Sequence, residues 1–128
     1  MKKILGPQQI VEDFLFSEGG LAESERLVCY YLDEQRCLIA NQKIAEGKMS
    51  ECKFLIRDIF KFAFQYEASF IIMAHNHPTN NPCPSELDVD STLQIIEISK
   101  RLLTPLIDHV VVAPNGDSRS MYEMGMIE

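Results

Sequence analysis

A short run, Ser69-Phe70-Ile71-Ile72-Met73-Ala74, apolar at its last five positions, breaks off at His75-Asn76-His77-Pro78, with an amphipathic stretch on either side. The run is too short for a helix and has no polar alternation, so it reads as a strand buried on both faces. A strand of that kind needs a layer above it and a layer below it, which restricts the chain to a sheet flanked by helices. The flanking stretches supply them. Residues 51–68 place Ile56, Ile59, Phe60 and Ala63 at i, i+3, i+4, i+7, which predicts a helix with one core face. Residues 85–103 predict a second helix, with Val89, Leu93, Ile96 and Leu103 on one side. Residues 105–113 repeat the buried-strand pattern and end in the turn Pro114-Asn115-Gly116-Asp117.

Upstream, residues 26–33 and 37–47 are β-rich and flank the polar turn Asp33-Glu34-Gln35-Arg36, as a hairpin does. Pro7 suits the first position of a short helix whose face is Ile10, Val11, Phe14 and Leu15, stopped by Gly19-Gly20. The expected architecture is α/β (α+β): one domain with a mixed β-sheet flanked by helices over residues 21–128, preceded by a lead-in helix within 1–20.

A chain of 128 residues with an apolar fraction of 46% can bury its own core without disulfides. The thiols Cys29, Cys37, Cys52 and Cys83 match no zinc-finger spacing and read as buried or spare thiols in a reducing compartment. No stretch approaches the roughly 18 apolar residues of a membrane helix, and Lys2-Lys3 lead into no apolar signal region. A cytoplasmic location without membrane association is therefore expected. The net charge of −7 opposes direct binding to nucleic-acid phosphates. A homodimer is compatible with this composition.

The chemistry concentrates after the apolar run. Side chains two apart in a strand share a face, so His75 and His77 could both reach one cation if the backbone stays extended. Pro78, Pro82 and Pro84 stiffen the loop that follows, and Ser85 opens the next helix with Asp88 in its first turn. Two imidazoles, one carboxylate and an open position for water form a common catalytic zinc pattern. Zinc acidifies that water, and a second carboxylate off the metal would be wanted as proton shuttle. Two plainer readings stand beside it. Ser85-Glu86-Leu87-Asp88 also fits a helix capping box, and the histidines could be ordinary loop residues. His109, beside Asp108 in an apolar strand, reads as a histidine satisfied by hydrogen bonds, with a fourth metal ligand as the rival reading. Cys83 could approach the metal and block its open position, or be a simple loop thiol.

The spacing His75-x-His77-x7-Ser85-x2-Asp88 resembles the JAMM metalloprotease motif at every fixed position. "AHNHP", "PSELD", "RDIFKFAF", "DHVVV" and "ERLVCYYLDEQRCLIA" resemble the RadC branch of that superfamily, over roughly residues 20–115. The resemblance implies a single JAB/MPN-like domain with cytidine-deaminase-like layering. It implies zinc held by His75, His77 and Asp88, with iron or manganese as other metals such a donor set accepts. It supplies the missing carboxylate as Glu25, with Glu23 as neighbouring competitor, and gives Ser85 an oxyanion-donor role. One hydroxyl would serve capping or donation, not both well at once. The chain departs from the branch at Thr79-Asn80, where Ser-Gly is usual, and at Leu55-Ile56, where His-Pro is frequent. About twenty residues precede the domain, too few for the helix-hairpin-helix region of full-length RadC proteins.

Two functions of different class follow. One is zinc-dependent hydrolysis of a peptide or isopeptide bond in a peptide or protein substrate. The other is a non-catalytic accessory role tied to DNA repair, recombination or mobile elements, as RadC relatives are often labelled.

Overall fold

The computed structural model describes residues 6–18, 24–47 and 56–128. Among these, five strands form one sheet in the order β2-β1-β3-β4-β5. In chain order the elements are α1 (Pro7–Glu18), β1 (Glu25–Leu32), β2 (Leu38–Gly47), α2 (Ile56–Gln65), β3 (Phe70–Asn76), α3 (Glu86–Arg101), β4 (Leu106–Val112) and β5 (Ser118–Ser120). β1 pairs antiparallel with both β2 and β3, and β4 lies parallel to β3 across α3. The result is a mixed α/β domain, its sheet flanked by helices as expected.

Alternation in the strands splits the core in two. Leu27, Cys29, Tyr31, Ile71, Met73 and Val111 face α2 and α3, meeting Ile59, Phe60, Ala63, Ile95 and Ile96. Val28, Tyr30, Leu32, Ile72, Ala74, Val110 and Val112 face the other way and are covered by Ile10, Val11 and Phe14 of α1. A strand packed on both faces must be apolar at every position, which is why residues 70–74 show no polar alternation. Ile71, Ile72 and Met73 each contribute about 1.5–3 kcal/mol when withdrawn from water. Burial also pushes the Cys29 thiol up to about 12, so it stays a neutral core group. Cys52 lies outside the described residues.

Several boundaries and faces differ from expectation. Within the described residues α2 stops at Gln65, and the chain turns through Glu67 at φ 53° rather than continuing to residue 68; residues 51–55 of the expected helix lie outside the described residues. On α3 the buried face is Thr92, Ile95, Ile96 and Ser99, whereas Leu93 and Leu103 are exposed. The hydroxyls explain the difference. Ser99 Oγ donates to the Ile96 carbonyl at 2.7 Å and accepts the Leu106 amide at 2.9 Å, so the polar residues on this helix can be the buried ones. β5 has no counterpart in the sequence reading. Three residues carry too little pattern to stand out, and its pairing with β4 depends on the turn at Gly116 (φ 90°). No helix among the described residues is long and apolar enough to cross a membrane.

Candidate metal centre

β3 remains extended through His75 and Asn76. The His77 amide then donates to the Val112 carbonyl at 2.9 Å, carrying the pairing with β4 one residue further. The two histidines therefore leave the same face. Between His77 and α3 the chain makes a tight excursion in which the Asn81 side chain accepts the Cys83 amide at 3.1 Å, while Pro82 and Pro84 are buried. Asn80 keeps a negative φ, so the turn does not need the left-handed conformation that a glycine would allow.

That excursion delivers Ser85 as the N-cap of α3 and brings Asp88 back over the histidines. Asp88 Oδ2 lies 3.2 Å from His77 Nε2, and Asp88 Oδ1 lies 3.5 Å from His75 Nε2. His75 is almost fully buried, yet its Nε2 makes no hydrogen bond. The contact to Asp88 is too long for one. An orphaned buried nitrogen facing a carboxylate and a second imidazole makes a group that could hold a cation. The two imidazole–carboxylate distances are close to the roughly 3.3 Å that separates ligand atoms about 2.0–2.1 Å from a tetrahedral zinc, and one ligand atom from each of the three residues lies within 4.8 Å of the others. Among the described residues, His75, His77 and Asp88 form the group of metal-ligating side chains that converges in this way. Cys83 is exposed and lies outside the trio. His109 is also outside the trio. It bonds to His75 instead, as the hydrogen-bonded reading expected.

The capping box and the candidate metal site share Asp88. The Asp88 amide donates to Ser85 Oγ at 3.0 Å, and the Ser85 amide donates to Asp88 Oδ2 at 2.9 Å. The two readings of this segment are therefore not rivals: the cap aims the carboxylate. The two uses of Ser85 are also compatible, because its Oγ accepts the cap bond with a lone pair and retains its own proton as a donor.

The charges respond to one another. Burial alone would raise the Asp88 carboxyl, but its contacts with His75 and His77 hold it well below the usual carboxylate range. The hydrogen bond to Asp88 lifts His77 above the ordinary imidazole value against the opposing effect of burial, and Glu25 contributes in the same direction.

That influence places Glu25 near His77, and the register agrees. β1 and β3 pair as Leu27↔His75, so the same register continued by two residues sets Glu25 beside His77. Asn76, between the histidines, holds the strands at this point. Its Oδ1 accepts the Arg26 amide at 2.7 Å and its Nδ2 donates to the Ser24 carbonyl at 3.1 Å, gripping the backbone on both sides of Glu25. Sequence reading passed over Asn76. Its only signal was a polar residue, between two histidines, pointing to the opposite face. Asp108 was likewise seen only as a neighbour of His109. It is buried and accepts from Ser120 Oγ (2.6 Å), the His109 amide (2.7 Å) and the Tyr122 amide (3.1 Å), so it anchors the segment after β5. Glu23 lies outside the described residues. A cavity of about 430 Å³ lined by Pro7, Ile72, Lys100, Leu106 and Glu123 opens towards the other ends of β3 and β4 and does not serve the trio.

A mixed five-stranded sheet carrying a His-x-His pair at a strand end and an aspartate from the next helix defines a JAB-type domain. The chain matches the family model of the RadC-like JAB domain over residues 5–126, and it belongs to that family. It is similar to a UPF0758 protein of Enterococcus faecalis, 32% identical over 114 residues, covering 89% of this chain and 49% of that one. A UPF0758 protein of Ralstonia pickettii is 36% identical over 107 residues, covering 84% and 48%. One from Thermosynechococcus vestitus is 36% identical over 125 residues, covering 93% and 50%. The chain thus spans about half the length of the curated relatives it matches.

Proposed function

We propose that this domain is a zinc-dependent hydrolase of JAMM type that cleaves a peptide or isopeptide bond. The convergence of His75 Nε2, His77 Nε2 and Asp88 on one point, with the His75 nitrogen buried and unpaired, carries this reading. Zinc bound there supplies Lewis acidity and brings the pKa of water towards about 7. Glu25, across from His77, takes the proton from the attacking water and returns it to the leaving amine. The Ser85 hydroxyl, its lone pair engaged by the cap, donates to the carbonyl oxygen as negative charge develops there. Asp88 orients through the cap, and Asn76 orients Glu25 through the backbone.

The first measurement is the metal content of purified wild type beside a His75→Ala, His77→Ala double variant. About one zinc per wild-type chain and none in the variant is expected. Peptide and isopeptide substrate screens follow, with Glu25→Gln as control: it should keep zinc and lose cleavage by about a hundredfold or more. A wild type that takes up no zinc when zinc is supplied sinks the reading. Zinc uptake without cleavage of any substrate would shift the assignment to an accessory role.

A further inference from the structure

His109 and Thr92 lie one step behind the trio, and their hydrogen bonds can be followed proton by proton. Thr92 Oγ1 lies 2.7 Å from the Asp88 carbonyl, which can only accept, so the hydroxyl spends its single proton there. The same Oγ1 lies 2.6 Å from His109 Nδ1 and must accept from it. His109 is therefore protonated on Nδ1, which leaves Nε2 as an acceptor. His109 Nε2 lies 2.7 Å from His75 Nδ1, so His75 donates from Nδ1. A neutral His75 with its proton on Nδ1 has a bare lone pair on Nε2, the buried nitrogen that has no hydrogen-bond partner. The chain of bonds starts at the backbone of one member of the trio and ends at the side chain of another.

We propose that Thr92 and His109 are positioning residues that fix the tautomer of His75, presenting its Nε2 lone pair to the cation before the cation arrives. This deepens the metal-holding role of the trio and rests on it. His77 is fixed separately: its Nδ1 donates to the Asn81 carbonyl at 2.9 Å. The two imidazoles are thus set by independent partners, one from α3 and β4, the other from the loop. His109 suits the task because it is fully buried. Both of its ring nitrogens are engaged, Nδ1 with Thr92 and Nε2 with His75.

The test uses the whole chain in wild-type, Thr92→Val, His109→Phe and His109→Gln forms. Imidazole nitrogen-15 shifts of the metal-free protein at about pH 8, where free imidazoles are neutral, report each tautomer directly. Zinc affinity is measured by competition with a chelator. In wild type both His75 and His109 should carry their protons on Nδ1. His109→Phe should move the His75 proton to Nε2 and weaken zinc binding by about 10–100-fold. Thr92→Val, which keeps the side-chain shape, should mix the His109 tautomers and weaken zinc by about tenfold. His109→Gln, whose Oε1 can accept in place of Nε2, should restore most of the affinity. If His109→Phe does not fold, Thr92→Val and His109→Gln carry the comparison. A His75 proton on Nε2 in metal-free wild type, or a folded Thr92→Val or His109→Phe variant that binds zinc as tightly as wild type, overturns the relay and leaves the metal centre standing. A wild type that binds no zinc overturns both.

Discussion

Replacing Asp88 with asparagine separates metal holding from helix capping. Asparagine keeps the shape, an oxygen for the Ser85 amide now 2.9 Å from Oδ2, and the backbone amide that donates to Ser85 Oγ at 3.0 Å. The metal-free variant loses the charge in the contacts with His75 and His77 and in the cap, a difference of about 1 kcal/mol. Zinc at a hundredfold excess over its Kd stabilises the wild type by about 2.7 kcal/mol. For a domain of 128 residues each kcal/mol shifts Tm by roughly 4 °C. Thermal melts should therefore show the metal-free variant about 4 °C below wild type. Zinc should raise wild type by about 10 °C, reversed by chelation, and should leave Asp88→Asn unmoved at the same concentration. An equal zinc-dependent rise in the variant would refute the assignment of Asp88 as a ligand. A metal-free loss several times larger would show that the carboxylate's charge, not the cap geometry, holds the start of α3.

Three further outcomes are expected. Ser85→Ala removes the acceptor for the Asp88 amide and should cost about 1 kcal/mol in urea unfolding while leaving zinc stoichiometry intact; a variant that loses zinc would show that the cap is indispensable to the ligand geometry. Asn76→Ala should speed hydrogen exchange at the Arg26 amide and impair cleavage more than zinc binding, and unchanged exchange would contradict the clamp on Glu25. Zinc affinity should weaken as pH falls. The Asp88 hydrogen bond raises the His77 pKa, so below that raised value a proton occupies Nε2 and must leave before metal binds, at about a tenfold loss per pH unit. A flat isothermal titration series from about pH 6 to 8 would remove His77 from the ligand set.

The legibility of this domain follows the range of the interactions. Residues 70–74 announced a doubly buried strand because packing on both faces leaves a local mark, an unbroken apolar run. α2 was legible through Ile59, Phe60 and Ala63, whose burial repeats at helical spacing. α3 was legible as a helix but not in its orientation. Its inward face includes Thr92 and Ser99, and hydroxyls are buried only where a partner waits, here His109 and the Leu106 amide. No window of sequence around residue 92 contains that partner, seventeen positions away.

The candidate site divides in the same way. The spacing of His75, His77, Ser85 and Asp88 lies within fourteen consecutive residues, so sequence alone determined which side chains could meet and that a helix start would carry the carboxylate. Tertiary structure decided the rest. It set the β1–β3 register that brings Glu25 beside His77, the grip of Asn76 on the backbone around it, and the line of protons from Asp88 through Thr92 and His109 to His75. Apart from the Thr92–Asp88 step, four positions long, those contacts join residues 17 to 52 positions apart, and hydrogen-bond direction depends on what each atom faces in space. A sequence names the donors and acceptors, but only the folded sheet determines which nitrogen of His75 is left without a proton.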